Sequence, residues 1–148
     1  MQTVLFDADC TYPVIALISE WMDNDGQMKY RNSNTAKGGT MRLGKQDCLL
    51  SDQSKIATLY QSKVIAERHR HRYEVNNQFI DKITSQDIQV VGWSGDKSLV
   101  EVIELTSHPW FIGCQFHPEF TSTPIAGHPL FKGFIRAAVE YKASRSHL

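Results

Sequence analysis

Apolar and polar positions change rhythm several times along the chain, and each rhythm predicts an element. Val14, Ile15, Leu17, Ile18, Trp21 and Met22 recur at helical spacing behind Thr11 and Pro13, which predicts a short helix. The stretches DNDGQ (23–27) and RNSNTAKGG (31–39) are polar and read as a turn and a loop. Thr40 to Leu50 reads as a strand. Ser54 to Tyr60 reads as one or two helical turns capped by Ser54 or Asp52. Val64 to Val75 is extended, and Asn76 or Asn77 caps a helix through about Thr84. Ile88 to Ser94 and Leu99 to Leu105 are strands joined by the hairpin-type connection SGDKS. Trp110 to Phe116 is an aromatic-rich apolar run suited to a strand covered on both faces. Pro129 to about Lys142 closes the chain as a helix with Phe131, Phe134, Ile135, Ala138 and Tyr141 on one face. Strands mix with helices but also follow one another directly, so the expected class is α/β or α+β, a mixed sheet flanked by helices.

Composition narrows the function more than the fold. With 148 residues the chain is one domain's worth, and 41% of it is apolar, ordinary for a globular protein. Lys+Arg and Asp+Glu both total 16, so no overall charge points to nucleic acid or an anionic membrane. No apolar run reaches the length of a membrane span, and Asp7 and Asp9 make the N-terminus unlike a signal peptide. Three widely spaced cysteines, Cys10, Cys48 and Cys114, argue for reduced thiols in the cytoplasm and against a disulfide framework or a zinc site.

Three stretches carry candidate chemistry. In WFIGCQFHPEF (110–120), Pro118 holds His117 out of the α region, and period-two alternation lets Glu119 project to the same side. A carboxylate beside an imidazole holds one ring proton and leaves the other nitrogen free as a base. The competing reading is a strand end with a solvated histidine and a surface glutamate. In ERHRHRYEV (67–75), an extended chain puts Arg68, Arg70 and Arg72 on one face and His69, His71 and Tyr73 on the other. Such cations suit protein carboxylates, a substrate carboxylate or phosphates. A nucleic-acid patch is disfavoured by the neutral remainder of the chain, and His69 with His71 lacks a third metal ligand. GGTMRLG (38–44) fits neither common phosphate-loop fingerprint. It reads as a glycine entry to a strand, or as a lid or ligand-contact loop in which Arg42 offers a charge.

Taken together, GGTMRLG, ERHRHRYEVN, LVEVIEL, HPWFIGCQFHPEFTSTP and GHPLFKGF resemble, in order and spacing, the C-terminal part of the glutamine amidotransferase domain of CTP synthase. The resemblance runs from about Cys10 to the end. It implies a class I glutamine amidotransferase-like (flavodoxin-like) fold, C-terminal portion only, with 10–148 belonging to the domain and 1–9 a leader not native to it. HPEF alone is shared with other amidotransferases such as GMP synthase; the remaining motifs are not. In the family a cysteine on a tight turn attacks the amide of glutamine, a histidine shuttles the proton and a glutamate orients the histidine. His117 and Glu119 match that base and carboxylate, and Arg72 matches the arginine that holds the substrate's α-carboxylate. Thr40 and Arg42 fall in the lid region near the GTP effector. The implied partners are glutamine, the N-terminal half of the domain, the synthetase domain that uses ATP, Mg and UTP, and a second copy in a homo-oligomer; nucleic acid and membrane are not among them.

The departures are as informative. The GxCxGxQ elbow that carries the family's nucleophile is absent, as is its oxyanion loop, and Leu5 stands where the family has a glutamine-binding glutamate. Cys114 is expected to point away from His117, Cys48 has no helix N-terminus beside it, and Cys10 matches a cysteine that is not the nucleophile. The chain therefore reads as a fragment of a longer enzyme, unable to hydrolyse glutamine alone. The alternative is a non-catalytic binding protein that keeps the amidotransferase fold.

Overall fold

The computed structural model describes residues 12–17, 20–22, 28–30, 41–84 and 87–145. The leader 1–9, Cys10, Thr40 and both polar loops lie outside them. Along the chain run β1 (Ile15–Leu17), β2 (Glu20–Met22), β3 (Met28–Tyr30), β4 (Arg42–Leu50), α1 (Lys55–Tyr60), β5 (Val64–His71), β6 (Tyr73–Val75), α2 (Ile80–Thr84), β7 (Ile88–Ser94), β8 (Val100–Leu105), β9 (Ile112–Cys114) and α3 (Pro129–Arg145).

The helix expected over Val14–Met22 is not formed. Its described residues include two strands: β1 pairs antiparallel with β6, Ile15 opposite Val75 and Leu17 opposite Tyr73, and β2 pairs with β3. The β-branched Val14 and Ile15 fit a pleated surface better than a helix. The Asn76 N–H extends the pairing to the Val14 carbonyl at 2.8 Å. Long-range pairing here overrides a local period.

The larger sheet has the order β5-β4-β7-β8-β9, and every pairing among the described strands is antiparallel. The α/β class holds, with the described part of the expected mixed sheet being antiparallel. The register of β4 against β5 sets which side chains face in. Cys48 and Leu50 on β4, and Ile65, Glu67 and His69 on β5, are buried, whereas Lys45, Arg68 and Arg70 are exposed. The sheet curls so far that the chain leaving β9 returns to β5, where the His117 N–H donates to the Arg68 carbonyl at 2.8 Å.

Local capping follows the expected signals. Ser54 accepts from the Ala57 N–H to open α1, and Asn76 accepts from Gln78 before a 3-10 turn and α2. Glu104, buried on β8, adds a clamp, its two oxygens accepting from the Lys55 and Ile56 N–H groups at 3.0 and 2.8 Å. A carboxylate at a helix N-terminus is favoured by the peptide dipoles there.

α3 forms as expected and turns its shared apolar face to solvent. Phe131, Phe134, Ile135 and Tyr141 are all more than two-fifths exposed, while Leu130 and Gly133 are buried. A Cβ at Gly133 would lie 2.5 Å from Trp110 Cη2 and 2.7 Å from Leu59 Cδ2, so glycine permits the close approach that seats this helix. The Trp110 run is also shorter than expected as a strand, Ile112–Cys114 only, with Phe116 buried beyond it.

Candidate active site

His117 and Glu119 come together, though not by strand alternation. Pro118 opens a 3-10 turn, Pro118–Phe120, and His117 precedes it with φ −109° and ψ 88°. The turn brings Glu119 Oε1 to 2.7 Å from His117 Nδ1. A carboxylate there accepts, so Nδ1 carries the ring proton and Nε2 keeps its lone pair. The hydrogen bond from His117 holds the Glu119 carboxyl below the usual range. Among the described residues Nε2 has no hydrogen-bond partner, and the ring is about one-third exposed. Phe120 stacks on its face, centroids 5.0 Å apart. The arrangement is that of a general base held in one tautomer and open on its reactive side.

Arg72 sits at the bend between β5 and β6, half-buried. Among the described residues it forms no ion pair or hydrogen bond, so its guanidinium is available to an outside anion. Arg68 and Arg70 are exposed on the outer face of β5, with Lys45 directly across from Arg68.

Arg42 is elsewhere. It is buried, 2.6 Å from Glu101 and 3.1 Å from Glu74, and its Nε donates to Gln46 at 2.8 Å. Placed at the inward-facing start of β4 rather than on a loop, it has no free charge for an effector. It belongs to a buried polar ring in which His69 Nε2 and the two Glu101 oxygens have no hydrogen-bond partner among the described residues. His71 Nδ1 faces Glu74 at 3.3 Å, His71 and His69 share a 2.8 Å hydrogen bond, and His69 Nε2 faces Glu101 at 3.8 Å. Burial drives these groups away from charge, lowering His69 to about 3 and His71 to about 4 and raising Glu74 to about 7. Burial also raises Glu101 against the pull of Arg42. His69 and His71 are thus structural, and among the described residues no group of His, Cys, Asp and Glu could hold a metal ion.

Both described thiols are held away from His117 and from charge. Burial pushes both Cys48 and Cys114 up to about 12, so each is a protonated thiol at neutral pH. Cys114 Sγ turns to the Phe116 carbonyl at 3.5 Å rather than to His117.

The sequence reading missed a second cluster, in which Glu67 meets Tyr60 and His128. Tyr60 donates to Glu67 Oε1 at 2.8 Å, and His128 Nε2 lies 2.9 Å from the same oxygen. Burial and this carboxylate push the Tyr60 phenol far up, so it serves as a permanent donor. The available signal was Glu67 at an inward position of β5; His128 follows Gly127 in a loop and advertises nothing by period.

A histidine–carboxylate pair thus sits on a turn beyond a curled sheet, with Arg72 just past β5. Residues 15–137 match the family described as Glutamine amidotransferase class-I, and the chain belongs to that family. Its structure is similar to the Trypanosoma brucei CTP synthase (CTPS) glutaminase domain with bound acivicin. Identity is 32% and the TM-score 0.75, covering 91% of this chain and 49% of that one. A Thermoplasma acidophilum protein assigned to GMP synthase shares the fold, with TM-score 0.55 at 20% identity, covering 72% of this chain and 48% of that one. The chain thus spans about half the length of the structures it matches. No described helix is long and apolar enough to cross a membrane.

Proposed function

We propose that this chain is the base-bearing part of a CTP synthase glutaminase, which releases ammonia from glutamine for the ATP-dependent amination of UTP to CTP in the cytoplasm. The 2.7 Å contact between His117 Nδ1 and Glu119 carries the reading, within a fold similar to a CTPS glutaminase domain over 91% of the chain.

The chemistry assigns each group one task. A cysteine supplied from outside the described residues loses its proton to His117 Nε2 and attacks the side-chain amide carbon of glutamine. The imidazolium then protonates the departing nitrogen, ammonia leaves and a thioester remains. Water, deprotonated by the same Nε2, attacks the thioester and frees glutamate and the thiol. Glu119 holds the ring in the working tautomer throughout, and Arg72 takes the α-carboxylate of glutamine through its guanidinium fork. ATP, Mg and UTP belong to the synthetase partner in this reading, and the GTP effector acts near the lid region that includes Thr40. Arg42, enclosed by Glu74 and Glu101, is not a candidate for GTP.

Cys48 and Cys114 cannot replace the missing thiol. General-base help alone is worth about 10²–10⁴-fold, against the roughly 10⁶-fold or more typical of enzymes. The purified chain should therefore release no ammonia from glutamine. Mixed with the half of the T. brucei domain that has no counterpart here, it should do so, and His117→Ala should abolish the activity. Hydrolysis by the chain alone, or a mixture indifferent to His117→Ala, would refute the assignment.

A further inference from the structure

β5 reaches the turn that bears the dyad from two consecutive residues. Arg68 accepts the His117 N–H at 2.8 Å on the backbone. Glu67, pointing the other way into the molecule, is 5% exposed. Its two oxygens have different partners. Oε1 accepts from Tyr60 at the end of α1 and lies 2.9 Å from His128 Nε2, just before α3. The Leu130 N–H donates to His128 Nδ1 at 3.2 Å, which places the histidine's proton on Nε2, 2.9 Å from both Glu67 Oε1 and the Tyr60 hydroxyl oxygen. Oε2 lies 3.2 Å from the Thr121 hydroxyl, which also lies 3.3 Å from the Pro118 carbonyl. Thr121 closes the 3-10 turn, its N–H bonded to the Pro118 carbonyl at 3.2 Å.

A buried carboxylate is tolerated only when its oxygens are well bonded, and a fully bonded one is rigid. We propose that Glu67 is the positioning residue of the His117–Glu119 pair. Through Oε2 and Thr121 it fixes the turn that sets Glu119 against His117, while Tyr60 and His128 hold the carboxylate in place through Oε1. Its catalytic meaning rests on the function proposed above; the positioning itself does not. A purely structural Glu67, one that only anchors α3, would use Oε1 and be indifferent to Oε2. That asymmetry makes the two roles separable.

The experiment uses the full chain, labelled with ¹⁵N, and reads two signals of His117 by nuclear magnetic resonance: the Nδ1–H proton and the exchange rate of the backbone amide. Thr121→Val removes the Oε2 arm together with the hydroxyl's contact to Pro118, and leaves Oε1 untouched. It should abolish the Nδ1–H signal and speed amide exchange about tenfold, the factor commanded by roughly one hydrogen bond, while the His128 Nε2–H signal persists. Thr121→Ser, which keeps the hydroxyl, should leave the His117 signals as they are. Glu67→Ala should lose the signals of both histidines. Glu67→Gln, which still offers an acceptor to Tyr60 and an amide to Thr121, should restore the His117 signals. His117 signals unchanged in Thr121→Val would overturn the proposal, and that variant decides the matter should Glu67→Ala fail to fold. If the mixture described above does not hydrolyse glutamine while these signals respond as stated, the function assignment fails and the positioning role stands.

Discussion

Arg42 Nη2 lies 2.6 Å from Glu101 Oε1, where the two side chains are 5% and 0% exposed. The same guanidinium also serves Glu74, so one cation sits between two buried carboxyls. Removing one partner of such an arrangement costs far more than the intact arrangement contributes, because the remaining charge stays buried. Arg42→Met should lower unfolding free energy by about 3–5 kcal/mol, measured by chemical denaturation. A loss below about 1 kcal/mol would mean that the ring tolerates an unpaired carboxyl.

The ring also makes stability depend on pH. Glu74 titrates near 7 in the folded chain, above its ordinary 4.5. Its contribution is therefore complete below about 4.5 and is lost as pH rises through 7. His71 and His69 act oppositely: their contribution is complete above 6.5 and is lost as pH falls through about 4 and about 3 respectively. Comparing the parent with Glu74→Gln isolates the first effect. The parent's advantage should shrink between about pH 5 and pH 8, by on the order of 3 kcal/mol at most. An advantage that grows over that range would reverse the assigned sign.

Gly133→Ala sets two effects against each other. Alanine favours a helix over glycine by about 1 kcal/mol. Its methyl would sit 2.5 Å from Trp110 Cη2, and overpacking costs about 1–3 kcal/mol. Packing should win, leaving the variant less stable and lowering its melting temperature. A stabilised variant would show that Trp110 yields freely.

Arg72→Ala, in an assembled enzyme, should raise the KM for glutamine about 10–100-fold, the worth of a charged hydrogen-bonded contact. Amination driven by added ammonia should stay intact. Equal loss of both activities would mark Arg72 as structural.

The apolar face of α3 should make the isolated chain self-associate. Ile135 and Val139 are 60% and 62% exposed on a helix whose buried side is Leu130 and Gly133, and adjacent apolar exposure of this kind drives association. Sedimentation velocity should show association that rises with concentration and weakens in an Ile135→Lys, Val139→Lys double variant. A chain monomeric at all concentrations would remove the argument.

Much of this was legible locally. The Ser54 cap, the Asn76 cap, the SGDKS hairpin and the inside–outside alternation of RHRHR each depend on a few neighbouring residues. What escaped depends on partners far along the chain. Ile15 and Leu17 read as helical until Tyr73 and Val75 are known to lie opposite. Arg42 read either as the entry to a strand or as a loop charge, and its partner Glu101 on β8 lies too far along the chain to be foreseen. α3 read as gathering Phe131, Phe134, Ile135 and Tyr141 on one face, but a period states which residues share a face, not which face is covered. His117 and Glu119 were paired by a strand argument, whereas Pro118 achieves the same meeting through a turn.

The rung between the His117 N–H and the Arg68 carbonyl joins two fates. It is the contact by which the curled sheet meets its own beginning, and it is also the peptide from which the imidazole hangs. Disturbance at that seam therefore cannot be hidden from the imidazole: a molecule that loosens there forfeits its aligned base before its Cys48–Val102 interior needs to give way.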